Sequence, residues 1–258
     1  MLFELISSFL NLFSSRRSYL FFLILGWFFL ACGDKRDEEA HRIVNESIEV
    51  HGSWAAWESI QTLSFEKETI LFDETGNEES RRLEFHEYRL NPIFQGEIKW
   101  NVDSLAHRLF YDGNEVRYRL GGNEIKNPSF LQAKQKDLDA AFYALALPFK
   151  LKDPEIVLSY RGLVQMPDGE MAECVQASYL TSSDTSSDIR LHFFDPNTHR
   201  LVAYRVKTGD HYNQVHYLGW DERKKVLFPS ETESYKVDSL GNRHDLRAKY
   251  RYANYLLK

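Results

Sequence analysis

From Leu63 onward the chain keeps a period of two, and this alternation restricts what it can fold into more than any other feature. Ile98, Trp100 and Val102 share one side of a stretch whose other side is Glu97, Lys99 and Asn101. Val116, Tyr118 and Leu120 alternate in the same way with Glu115, Arg117 and Arg119. Successive side chains of a strand point to opposite faces, so the pattern describes a sheet with one packed face and one wet face. On that reading Phe65, Leu83, Phe85, Trp100, Tyr118, Leu191 and Phe193 all belong to the packed, inward side. In the stretch around residue 85 this puts Glu84, His86 and Tyr88 outside.

Turn chemistry divides the alternating stretches. Asp112-Gly113-Asn114 is a strong hairpin signal because Asp-Gly tolerates positive φ, and Asp195-Pro196-Asn197 marks another. Two segments change period. Ala40, Ile43, Val44, Ser47 and Ile48 recur at helical spacing within 37–50, which His51-Gly52 closes, and Ser53 caps a short turn carrying Trp54 and Trp57. A second helix is expected over 134–147, ended by Pro148. The sum is about eleven strands and two helices in one domain, 40–258, arranged as an antiparallel meander. Strands do not alternate regularly with helices, which argues against a doubly wound sheet.

The segment before this domain has a different logic. Arg16 and Arg17 precede an uncharged run from Tyr19 to Ala31, and Cys32 follows at once. A membrane-crossing helix needs about 20 apolar residues. This run is shorter and suits the apolar region of a secretory signal. The order basic, apolar, small residue, cysteine resembles the lipobox of bacterial lipoproteins. That resemblance implies a signal peptide over 1–31, acylation of Cys32, and a charged tether over 32–39 (Asp34, Lys35, Arg36, Asp37, Glu38 and Glu39). The tether serves as a solvated spacer or, since its acidic cluster resembles the export tags of surface lipoproteins, as a sorting signal. One acyl chain holds a protein only marginally, whereas two or more hold it stably. The partner implied is therefore a membrane of the cell envelope, expected to be the outer one. The alternative is a short anchor helix that stays uncut, with Cys32 a bystander.

Loss of 1–31 removes Glu4, Arg16 and Arg17 and makes the formal charge of −6 one unit more negative. An acidic chain without a basic stripe argues against a nucleic-acid partner. With Cys32 acylated, Cys174 is the one remaining thiol, so no intramolecular disulfide forms, and Cys174 reads as a small buried residue. No cofactor, metal site or enzymatic activity is expected. G-x-S-x-G, H-E-x-x-H, C-x-x-C and a phosphate-binding glycine loop are all absent. His211 and His216 have opposite-face spacing, and His192 with His199, across one hairpin, fall short of the three or four ligands zinc requires. His51 reads as a helix-end residue complementing the dipole.

Three ordered stretches carry a wider resemblance: Tyr111-Asp112-Gly113-Asn114-Glu115, Phe194-Asp195-Pro196-Asn197-Thr198 with Leu201, and Phe228-Pro229-Ser230-Glu231. Together they resemble the lipoprotein-carrier superfamily, LolA/LolB-like. His51-Gly52-Ser53-Trp54 with Trp57, then Thr62-Leu63-Ser64-Phe65, resembles a group of uncharacterised bacterial lipoproteins. The resemblance implies a strongly curved antiparallel sheet, an incomplete barrel, with the helices in or near its concave mouth. It also implies a lipid, acyl chain or other apolar ligand, for which the seven inward residues are the candidate lining. Two readings stay open: an apolar cavity, or helices that fill the mouth and leave an accessory protein without a ligand.

Overall fold

In the computed structural model the described residues are 35–179, 190–208 and 211–258; Cys32 and the segment 1–34 lie outside them. Thirteen strands form a single sheet: β1 (Thr62–Phe72), β2 (Glu78–Arg89), β3 (Gln95–Val102), β4 (Leu105–Tyr111), β5 (Val116–Leu120), β6 (Asn123–Ile125), β7 (Ile156–Gln165), β8 (Met171–Tyr179), β9 (Arg190–Phe194), β10 (Leu201–Thr208), β11 (His211–Arg223), β12 (Val226–Val237) and β13 (Arg243–Leu257). Among the described residues three α-helices accompany them: α1 (Lys35–Val50), α2 (Trp54–Glu58) and α3 (Pro128–Ala146). The spatial order is β6-β5-β4-β3-β2-β1-β13-β12-β11-β10-β9-β8-β7, every pair being antiparallel. The first and last strands therefore pair in the middle, and the two free edges, β6 and β7, are consecutive in the chain. The segment joining them is α3 and a short 3₁₀ turn at Phe149–Lys152, so the sheet stays open and α3 lies across its mouth. This is the antiparallel meander that the alternation and the turn pattern predict, in the curved, incomplete-barrel form that the lipoprotein-carrier resemblance implies.

Strand β6 and the start of α3 both fall in a region that reads as loop. Asn127 accepts a hydrogen bond from the Phe130 N–H at 3.0 Å and Pro128 opens the helix, a combination that satisfies an orphan donor and pre-sets φ. Helix α1 likewise begins at Lys35, which makes part of the charged tether helical rather than extended. Asp37 and Glu38 lie in its first turn, where carboxylates oppose the helix dipole favourably, and Glu39 pairs with Arg42 at 2.7 Å. Gly52 ends this helix at φ 126°, so close to the β11–β12 turn that an added Cβ would lie 2.1 Å from the Lys225 carbonyl oxygen. Only glycine fits there.

Much of the mouth is packed. Ala40, Ile43, Val44 and Ile48 of α1 and Leu138, Phe142 and Tyr143 of α3 join Phe65, Tyr88, Phe228 and Tyr255 in one buried cluster. Trp57 stacks on Phe149 at 4.7 Å, and Tyr88 meets Phe142 at 5.0 Å. Gly96 gives Tyr88 and Leu138 room to meet over the sheet: a Cβ there would lie 3.1–3.2 Å from both. A smaller second cluster, with Met166, Ala172, Cys174, Phe193 and Ala203, forms on the convex side. There Arg205 lies over Phe193, donates through Nε to Gln214 at 2.8 Å and reaches the Ser239 carbonyl, so the β12–β13 turn folds over that patch.

Candidate functional site

The core does not fill the mouth completely. A cavity of about 410 Å³ remains between α3 and the concave face of the sheet. A second lobe of about 500 Å³ adjoins it, sharing Leu71, Tyr204, Val215 and Tyr250. The helix contributes Ala140, Ala141 and Ala144 to the wall, and their small size is what leaves the space. The strands contribute Lys67 and Thr69 from β1, Arg82, Glu84 and His86 from β2, Ile98 and Trp100 from β3, Leu109 from β4, and Tyr250 and Tyr252 from β13.

The wall is more polar than the sequence suggests, and the reason is the parity of β2. In the β1–β2 ladder Phe65 faces His86, Lys67 faces Glu84 and Thr69 faces Arg82. The residues that point inward are therefore Glu84, His86 and Tyr88, while Leu83 and Phe85 lie on the convex face, 60% and 38% exposed. Leu191 and Phe193 are also outward: their neighbours His192 and Phe194 face in, and Phe193 belongs to the convex cluster. Phe65 and Tyr118 do face inward but are spent in the packed core. Of the seven residues assigned inward, Trp100 alone is among those that border the cavity.

A connected polar group occupies the β1–β2 wall. Glu84 receives Arg82 Nη2 at 2.7 Å, His86 Nε2 at 3.3 Å and Thr69 Oγ1 at 3.5 Å, with Lys67 Nζ at 3.6 Å. Burial alone would raise the Glu84 carboxyl. The His86 hydrogen bond and the Lys67 and Arg82 charges outweigh it and hold the group at about 2, so it is a carboxylate. Burial pulls His86 below the ordinary imidazole value and keeps it neutral. One tautomer then serves both partners: Nε2–H donates to Glu84, and Nδ1 accepts from the Tyr88 hydroxyl at 3.0 Å. Burial likewise lowers the Lys67 ammonium, which also stands 4.6 Å over the Tyr250 ring. Arg82 stacks over Trp100 at 5.0 Å.

At the far wall Tyr143 of α3 donates its hydroxyl proton to His192 Nε2 at 2.6 Å, and Arg190 stacks on the Tyr143 ring at 4.1 Å. Tyr217 donates to the Ala144 carbonyl at 2.6 Å. These contacts hold the helix on both flanks of the space. The two histidines of the β9–β10 hairpin make separate contacts: His192 accepts from Tyr143, whereas His199 approaches Glu46 of α1 at 3.4 Å. No metal-binding group of three or more such side chains occurs among the described residues. His51 ends α1, with Nδ1–H donating to the Ser47 carbonyl at 2.7 Å, but burial against Trp220 lowers it to about 4. It is a neutral buried ring, not a cation on the helix dipole. Cys174 is buried, and burial raises its thiol to about 11.

No family model and no curated protein matches the sequence. Solved structures do resemble the fold. The LolA superfamily protein NE2245 from Nitrosomonas europaea superposes with a TM-score of 0.54 at 8% identity, over 85% of this chain and 93% of that one. A Vibrio parahaemolyticus domain, provisionally described as an outer membrane lipoprotein-sorting protein, gives 0.53 at 9% identity, over 86% and 93%. The protein therefore has a LolA-like fold. At such identities the likeness is one of architecture.

Proposed function

We propose that the protein is a lipid-anchored binding module of the bacterial envelope, which holds an acyl-bearing ligand beneath α3 and performs no catalysis on it. The observation that carries the reading is the space left between α3 and the sheet in an otherwise filled mouth. Its volume is that of small-molecule sites, roughly 300–1,000 Å³. The LolA-like fold, and a similar domain described in terms of lipoprotein sorting, support a carrier over an enzyme. The anchor rests on the order of residues around Cys32, and it places the module at a membrane, expected to be the outer one.

Native mass spectrometry of the full chain purified from cell membranes tests the ligand. A reproducible added mass that resolves into a lipid is expected. A bare mass, together with no uptake of a fluorescent fatty acid, would overturn the reading. Metabolic labelling with palmitate tests the anchor separately: the native chain takes the label and Cys32→Ser does not. An unlabelled native chain would remove the anchor.

A further inference from the structure

The cavity wall does not match a purely aliphatic occupant. Glu84 faces two basic side chains, Arg82 at 2.7 Å and Lys67 at 3.6 Å, while His86 beside them is neutral. One carboxylate balances one of the two, and a positive charge is left over at the wall. The donors are also in surplus. Lys67 carries three, against one long contact to Glu84 at 3.6 Å and the Tyr250 ring at 4.6 Å, and Arg82 Nε is buried without a hydrogen-bond partner among the described residues. Arg82 is 41% exposed, but the Lys67 side chain is only 13% exposed, and a cation held there is costly unless something compensates it. Across the space from this strand wall, Ala140, Ala141 and Ala144 of α3 offer an apolar surface, and the two charged residues that α3 brings to the same cavity, Lys134 and Asp137, pair with each other at 2.7 Å. One side of the space suits a charged head, and the other suits a chain.

We infer that the ligand is an amphiphile with a single anionic group, carboxylate or phosphate, seated against Lys67 and Arg82 with its apolar body along the alanine face of α3. This rests on the proposed binding function and sharpens it, because a neutral acyl chain would leave the surplus charge unanswered. The carboxylate of a fatty acid and the phosphate of a lysophospholipid share the required chemistry.

The test uses the full chain in lipid nanodiscs and two matched pairs of probes: palmitate against methyl palmitate, and monoacylglycerol phosphate against monoacylglycerol. In at least one pair the anion is expected to bind about tenfold tighter than its uncharged counterpart, the scale of one charge-assisted hydrogen bond. The pair that shows the preference identifies the head group. Lys67→Gln should abolish the preference, and Glu84→Gln should enlarge it. Equal binding of anion and neutral probe in both pairs would overturn the inference but leave the binding function standing. Failure of all four probes to bind would overturn both. Should either variant fail to fold, the comparison within the native chain still decides.

Discussion

The Tyr143 hydroxyl lies 2.6 Å from Nε2 of His192, and this single contact ties the helix across the mouth to strand β9 on the far wall. His192 is fully buried and its pKa is lowered to about 3 by burial, with the Arg190 charge contributing, so the ring is neutral and Nε2 is a true acceptor. Tyr143→Phe removes the donor and leaves that acceptor unpaired in the interior. A loss of about 1–3 kcal/mol is expected, read from urea unfolding. Amide exchange in α3 should accelerate more than in β1 or β13. An unchanged unfolding midpoint would mean that the contact does not hold the helix.

Buried histidines make stability depend on pH; His86 is one, and three others are shifted far enough to set the scale. Burial lowers His51 and His216 to about 4 and His192 to about 3, against an ordinary value of 6.5. In the unfolded chain each takes a proton near 6.5, whereas the folded protein resists it. Stability is thus fully present above that value and falls as the solution is acidified. At pH 5.5 each residue costs about 1.4 kcal/mol relative to neutral pH. The depressed Glu84 carboxyl adds a separate loss at lower pH, from about 4.5 down to about 2. Chemical unfolding at pH 7.5 and 5.5 should show a drop of several kcal/mol, and a flat profile would contradict the neutral, buried state of these rings.

The architecture was legible because alternation and turn residues are local signals: Asp112 and Asp195 each accept backbone N–H groups in the very turns they announce. The lining of the cavity was not legible, for a physical reason. In β2 both faces carry large side chains, Leu83 and Phe85 on one and His86 and Tyr88 on the other, so hydrophobicity alone does not fix the parity. What fixes it is register with β1, where His86 stacks on Phe65 at 4.8 Å and Glu84 meets Lys67. A clue was present in the sequence. Lys67 and Thr69 share parity with Phe65, so an inward Phe65 already commits a lysine to the interior, and a buried lysine requires an inward carboxylate nearby. Leu191 and Phe193 misled for a different reason: the convex face has its own small core, built around Cys174 and roofed by a distant turn.

Gly52 joins the N-terminal helix to the sheet. It lies against the β11–β12 turn, and Leu227 N–H donates to the His51 carbonyl at 2.9 Å beside it. Gly52→Ala would force a Cβ into the Lys225 backbone while holding φ in the left-handed region. Backbone cannot swing away as a side-chain tip can, so at least ~2 kcal/mol of destabilisation is expected. The loss should be accompanied by faster proteolysis within α1. An alanine variant of native stability would show that α1 is not docked through this corner.

Ala144 separates the role of the space from the stability of the fold. Its side chain borders the cavity, and its carbonyl, which accepts from Tyr217, is backbone and survives substitution. Ala144→Leu adds three carbons where room exists, so the added methyls bury apolar surface without displacing a packed neighbour. Leucine is also nearly as good a helix former as alanine. The unfolding free energy should stay within about 1 kcal/mol of the native chain or rise slightly. Ligand capture should fall by tenfold or more, because the substituted volume is the one an acyl chain would occupy. Retained lipid on the purified variant, at native occupancy, would show that the occupant lies elsewhere and that the space under α3 is only a packing remainder.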